Sequence, residues 1–161
     1  MKGIMIYDTS FGNTREIAKT IQETLEEAGI ESDLFKVNEV KKLTAKEYDF
    51  LVFGSPTKFG TMSFTIKFFL GKVKSEEWTD KPFAAFDTEN PENLEQSRIQ
   101  NKEWSAAEKI ALKLKEKSMR QLLPVLKTLV LGQKGPLVEG EIDRAKIYAR
   151  ELVTRLKEEK A

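Results

Sequence analysis

The sequence predicts an α/β fold: a doubly wound sheet of five parallel strands in the order 2-1-3-4-5, with helices on both faces. Three observations lead there. Short apolar runs of strand length alternate with longer segments of helical period. Three of the short runs, Gly3 to Tyr7, Phe50 to Phe53 and Pro82 to Phe86, are apolar throughout, as in strands covered on both faces. Five such units fill 161 residues, the length of one compact domain, so residues 1–161 are expected to form a single unit.

The elements follow in order. Gly3 to Tyr7 reads as a buried strand, and Thr14 to Ala28 as a helix with Ile17, Ala18, Ile21 and Leu25 on one face. Ser32 to Val37 reads as the second strand, and the polar stretch Asn38 to Lys46 as holding a short helix. Phe50 to Phe53 is the third strand; Ser63 to Val73 is a helix with Ser63 as its N-cap. Pro82 to Phe86 is the fourth strand, followed by a long polar loop, Asp87 to Asn101. Lys102 to Met119 reads as an amphipathic helix with Trp104 turned into the core. Val125 to Leu131 is the fifth strand, and Glu141 to Lys157 the closing helix.

Composition excludes much chemistry. The chain has no cysteine and no histidine, which removes disulfides, thiolate metal sites, cysteine nucleophiles and the commonest general base. Lys and Arg total 27 against 26 Asp and Glu, a balance unlike that of a nucleic-acid-binding surface. No apolar stretch approaches a membrane span, and Met1 to Tyr7 is too short for a signal peptide, so no membrane contact and a cytoplasmic location are expected.

In a doubly wound sheet, ligands bind outside the carboxyl ends of the strands, where the chain reverses direction. Three loops fall there: Asp8–Asn13, Ser55–Met62 and Asp87–Asn101. The first joins a strand to a helix N-terminus, which offers free N–H groups and a partial positive charge to a phosphate. Gly12 permits close backbone approach, and Thr9, Ser10, Asn13 and Thr14 add hydroxyl and amide groups. Asn13 and Glu16 also have the spacing of a capping box. The loop has neither the G-x-G-x-x-G of dinucleotide sites nor the G-x-x-x-x-G-K-[ST] of nucleotide hydrolases. Hydroxyls without a lysine suit a terminal monophosphate. The plain alternative is a Ser/Thr/Gly turn that only caps a helix.

Tyr7-Asp8-Thr9-Ser10-Phe11-Gly12-Asn13-Thr14 resembles the phosphate-binding loop of flavodoxins, T/S-x-T/F-G-x-T. Gly54-Ser55-Pro56-Thr57-Lys58-Phe59-Gly60-Thr61-Met62-Ser63 looks like the corresponding segment of flavodoxin-like NAD(P)H:quinone reductases and of short archaeal flavodoxins. Gly135 to Glu141 resembles the archaeal group too, and the element order agrees over nearly the whole chain. The resemblance implies FMN as cofactor and electron transfer as function, with a redox partner protein or small-molecule acceptor. It places the phosphate on Thr9, Ser10, Phe11, Gly12, Asn13 and Thr14. It places the ring against Pro56, Thr57, Lys58, Phe59, Gly60 and Thr61, with Phe59 on one face and Lys58 near the pyrimidine end. Asp87, Thr88 and Asn90 would bond the pyrimidine ring. Flavodoxins usually carry a second stacking aromatic in the third loop, and here there is none before Trp104. The open face would admit a hydride donor, or be covered by a partner subunit of a homo-oligomer. Two alternatives therefore stand: an FMN-dependent NAD(P)H:quinone-type reductase, and a non-redox protein that keeps the fold.

Overall fold

The computed structural model describes residues 1–100 and 104–160, apart from the side chains of 97, 98 and 100. The strands are β1 (Lys2–Tyr7), β2 (Glu31–Lys36), β3 (Phe50–Pro56), β4 (Pro82–Glu89), β5 (Arg120–Gln121) and β6 (Leu126–Leu129). The helices are α1 (Asn13–Glu27), α2 (Phe64–Leu70), α3 (Ser75–Trp78), α4 (Pro91–Gln100), α5 (Ala106–Glu116) and α6 (Glu141–Lys160). All strand pairs are parallel, in the order β2-β1-β3-β4-β5, with β6 also on the outer edge of β4. The order expected from the sequence is the one observed.

Each buried strand feeds two cores, because successive side chains point to opposite faces. Ile4, Ile6, Leu51, Phe53, Phe83 and Ala85 pack with Ile66 and Phe69 of α2 and Ile110 and Leu114 of α5. Met5, Tyr7, Val52, Ala84 and Phe86 pack with Ile17, Ile21 and Leu25 of α1 and Ala149, Leu152 and Leu156 of α6. Burying side chains of this size contributes roughly 1.5–3 kcal/mol each, so the two layers hold the carboxyl ends of β1, β3 and β4 at a common edge.

Several elements differ in extent or kind from expectation. The expected fifth strand, Val125 to Leu131, is the shorter β6, and an additional two-residue strand that the sequence did not suggest, β5, precedes it; Pro124, which has no N–H to give the ladder, stands between them. The short helix expected in the stretch 38–46 is of the 3₁₀ kind, one turn at each end, Val37–Glu39 and Ala45–Glu47. Strand β4 runs three residues past its apolar part: Asp87 and Thr88 pair with Ser55 and Pro56, and Glu89 with Leu129. The expected loop then becomes α4, started by Pro91 as its first residue and by Asn90, whose Oδ1 accepts the Asn93 N–H at 2.9 Å. The next helix begins at Ala106 rather than Lys102, capped by Ser105. Residues 101–103, where the expected helix began and the expected loop ended, lie outside the described residues.

Gly54 lies on β3 directly under the Phe86 ring, and a Cβ there would stand 2.0 Å from Phe86 Cζ. Gly54→Ala is expected to lower stability by about 2 kcal/mol through overpacking, read as a shifted urea midpoint at unchanged slope. An unchanged midpoint would show that the ring moves aside freely.

Candidate functional site

At the carboxyl edge of the sheet the chain leaves a cleft of ≈ 580 Å³. Its walls are the loops after β1, β3 and β6, the end of β4 with the start of α4, and Trp104. That volume falls within the range of small-molecule pockets, roughly 300–1,000 Å³.

The first loop is built around Gly12, the N-cap of α1, in the left-handed region at φ 90°. The Gly12 N–H donates to Thr9 Oγ1 (2.9 Å), and the Thr9 N–H donates to Asp8 Oδ1 (2.9 Å). No side chain caps α1. The expected Asn13–Glu16 capping box does not form: Asn13 Nδ2 turns away to donate to the Lys134 carbonyl (3.1 Å) in the loop after β6. The first-turn amides of α1 are thereby left for a ligand, with the helix dipole behind them. A Cβ at Gly12 would meet nothing within 4 Å, so open space lies before this turn.

Asp8 anchors the loop from behind. Its Oδ2 accepts from Thr65 Oγ1 at 2.6 Å, tying the loop to α2. Burial pushes the Asp8 carboxyl up, but the hydrogen bonds of Thr65, Ser63 and the Thr9 N–H, with the Lys36 charge, hold it below the ordinary carboxylate range. It therefore stays ionised and acts as an acceptor.

The second loop makes a tight turn. Lys58 and Thr61 exchange N–H···O bonds of 2.9 and 3.1 Å, with Phe59 and Gly60 between them at φ 51° and 73°. Positive φ at both central residues matches a type I′ turn, and it is strained for phenylalanine. The strain leaves the Phe59 ring 95% exposed at the cleft mouth. Lys58 does not reach along the cleft; its ammonium donates to Ser10 Oγ at 2.9 Å. The first loop, which has no lysine of its own, thus receives one from the second.

Gly60 lies against the Trp104 indole so closely that a Cβ would be 2.0 Å from Cε2. Trp104 is not a core residue, as the sequence suggested, but a half-buried wall of the cleft. It precedes α5 rather than sitting in it, and its carbonyl accepts from Asn93 Nδ2 at 2.8 Å.

The end of β4 joins these parts. The Thr57 N–H donates to the Thr88 carbonyl (2.8 Å), and the Thr88 and Thr14 hydroxyls lie 2.8 Å apart. Thr88 and Asn90 line the cleft. Asp87 does not: it is fully buried beneath the floor, where Oδ2 accepts the Ala107 N–H at 3.0 Å. Glu89, on the cleft wall, is also buried, and its Oε2 accepts from Asn93 Nδ2 at 3.2 Å. Asp87 Oδ1 and Glu89 Oε1 have no hydrogen-bond partner among the described residues. Burial, then the neighbouring Glu89 charge, pushes Asp87 well up; burial likewise pushes Glu89 up, against the Lys127 charge and the Asn93 and Thr57 hydrogen bonds.

Thr9, Ser10, Phe11, Asn13 and Thr14 therefore meet Pro56, Thr57, Lys58, Phe59, Thr88 and Asn90 around one cleft. Gly12, Gly60 and Thr61 shape its turns from behind. Sequence reasoning did not place Glu89, Glu92, Asn93, Gln96 or Trp104 at the site, nor Val130, Gly132 and Gln133 after β6, all of which line the cleft. The last three were findable, since every loop at the carboxyl edge is a candidate in this topology.

The Flavodoxin family model matches residues 5–143. A flavodoxin of Clostridium saccharobutylicum is 30% identical over 91 residues, 56% of this chain and 57% of its own. Protoporphyrinogen IX dehydrogenase [quinone] of Escherichia coli K12 is 33% identical over 60 residues, 37% of this chain and 33% of the enzyme. The match thus spans between a third and just over half of these curated relatives. A solved flavodoxin from the domain Archaea superposes with a TM-score of 0.78 at 23% identity, over 98% of this chain and 99% of that one, a likeness of fold.

Asp87 and Glu89 give the stability a sign with pH. Above the ordinary carboxylate range the folded chain still holds protons that the unfolded chain has lost, so stability falls as pH rises. The fall is expected to reach at most about 1.4 kcal/mol per pH unit for each group. Urea unfolding at a series of pH values should show it, and Asp87→Asn should flatten it; identical slopes in both proteins would contradict the assignment.

Proposed function

Because the chain belongs to the flavodoxin family, whose cofactor is FMN, we propose that it carries electrons through one FMN held in this cleft, the phosphate on the Thr9–Thr14 loop. The observation that carries the reading is the uncapped first turn of α1 behind Gly12, with open space before it and donors around it. Bound there, FMN supplies a ring that accepts and gives up electrons; the protein supplies binding, orientation and electrostatics.

The residues divide that work. The α1 amides and the hydroxyls of Thr9, Ser10 and Thr14 bind the phosphate, with the Lys58 ammonium beside Ser10 as counter-charge. The strained Phe59–Gly60 turn offers an aromatic face at the cleft mouth, and Trp104 a second aromatic surface inside it. Trp104 thus supplies, from outside the third loop, the aromatic that the loop itself lacks. Asn90 and Thr57 present polar groups to the ring edge. The structure has no histidine to act as acid or base, and electron transfer needs none. The electrons pass on to a redox partner protein or small-molecule acceptor.

A second reading is an FMN-dependent NAD(P)H:quinone-type reductase; quinone is the part of it that the name of the E. coli dehydrogenase shares. Steady-state assays with NADH and NADPH and several quinones separate the two. The carrier reading expects no turnover above that of free FMN.

Two measurements test the cleft itself. Of the two tryptophans, Trp78 is fully buried in the core and Trp104 lines the cleft. Added FMN should quench tryptophan emission with one-to-one stoichiometry, and Trp104→Phe should remove most of that quenching. The double variant Thr9→Ala with Gly12→Val takes away the loop's internal acceptor and puts a β-branched residue at φ 90°. It is expected to weaken FMN binding at least about 100-fold, some 2.7 kcal/mol, with the far-UV spectrum unchanged. Unaltered affinity would place the phosphate elsewhere.

A further inference from the structure

Two carboxylates that the electron-carrying role does not require lie at the cleft, Asp87 beneath its floor and Glu89 buried in its wall. Asp87 and Glu89 are two apart on β4, so both side chains emerge on the same face of the sheet. They are 0% and 2% exposed. Each keeps one oxygen without a partner, Asp87 Oδ1 and Glu89 Oε1. Two ionised carboxylates this close and this dry cannot both persist cheaply; like charges disfavour the second ionisation.

Their surroundings compensate only in part. Lys127 of β6 faces Asp87 across the ladder, but its ammonium is 3.7 Å from Glu108 Oε1 of α5 and is shared with that group. The remaining partners are neutral: Asn93 of α4, the Ala107 N–H at the start of α5, Ser105 beside it, and Thr57 of β3. On the cleft walls the other ionisable side chains among the described residues are Lys58 and Glu92.

Thr88 lies between the two carboxylates in sequence and on the other face, with its hydroxyl 2.8 Å from Thr14 Oγ1 in the first turn of α1. The phosphate loop and the carboxylate pair are therefore joined through one residue of one strand. A unit charge about 10 Å from a carboxylate, at an effective dielectric near 20, changes its proton affinity by roughly tenfold. We propose that Asp87 and Glu89 form a proton-binding site under the cleft, which takes up a proton from solvent when a phosphate-bearing ligand enters. An O–H bond forms on one carboxylate oxygen; no bond of the ligand breaks and no electron moves. The inference rests on FMN being the ligand, and it makes the cleft's affinity proton-linked. Occupancy raises the pair's hold on its proton, so binding is strongest at low pH and weakens as pH rises through the range where the occupied pair deprotonates.

The test is calorimetric. FMN is titrated into the whole protein at pH 8 in HEPES and in Tris, whose ionisation enthalpies differ, and the difference in heat counts protons taken up. At that pH a phosphate with its second pKa near 6 is already a dianion and contributes none. The wild-type chain is expected to take up about half a proton or more per FMN. Glu89→Gln and Asp87→Asn, each checked for folding by circular dichroism and thermal melting, should lose at least half of that uptake. Their FMN affinity should also decline less steeply between pH 7 and 9. Binding without proton uptake in the wild type, or equal uptake in both folded variants, overturns this inference alone. No binding of FMN at any pH overturns it together with the function on which it rests.

Discussion

The hydrogen-bond ladder that carries β4 past its apolar residues is what the site depends on. Asp87 and Thr88 remain in register with β3 on one side and β6 on the other, and Glu89 with β6. A strand in that position presents its groups at fixed spacing, where a loop would not. From three consecutive residues the chain ties the phosphate loop through Thr14, the second loop through Thr57, and the start of α5 through Ala107. Asn93 then links Glu89 to the carbonyl of Trp104. Each wall of the cleft is held by the same strand end.

That arrangement explains why polar residues are tolerated so deep. A buried polar group costs free energy unless it is hydrogen-bonded. Thr88 and Thr128 meet the requirement: the first pairs with Thr14, and the second donates to the Asp87 carbonyl at 2.7 Å. The carboxylates meet it only by half, with one orphaned oxygen each. A strand tip that is otherwise fully bonded can hold such a pair in place, and this is where unsatisfied groups are expected to have a task.

Three strained, uncapped or closely packed positions stand at the same edge. Gly12 leaves α1 without a side-chain cap, Phe59 takes a positive φ, and Gly60 lets the indole of Trp104 approach the backbone. Each departs from what would be best for stability alone. Asp80 and Ser118 also take a positive φ, at the amino ends of β4 and β5, whereas α2 and α5 are capped in the ordinary way by Ser63 and Ser105.

Sheet order, the two-layered core and the phosphate loop were legible in the sequence. Apolar period and length determine which segments become strands, and the parallel doubly wound topology then leaves few places for a ligand. The Asn90-Pro91 start of α4 was legible as well, as a cap followed by proline, but the polar character of Asp87 to Glu89 pointed to a loop. Only the tertiary structure decided that those residues continue a strand, because the ladder on both sides supplies partners that the local sequence does not contain. It also decided that Lys58 meets Ser10, 48 residues away, and that Trp104 stands beside Gly60. Such contacts are set by how helices and loops pack on the sheet, and no spacing along the chain encodes them.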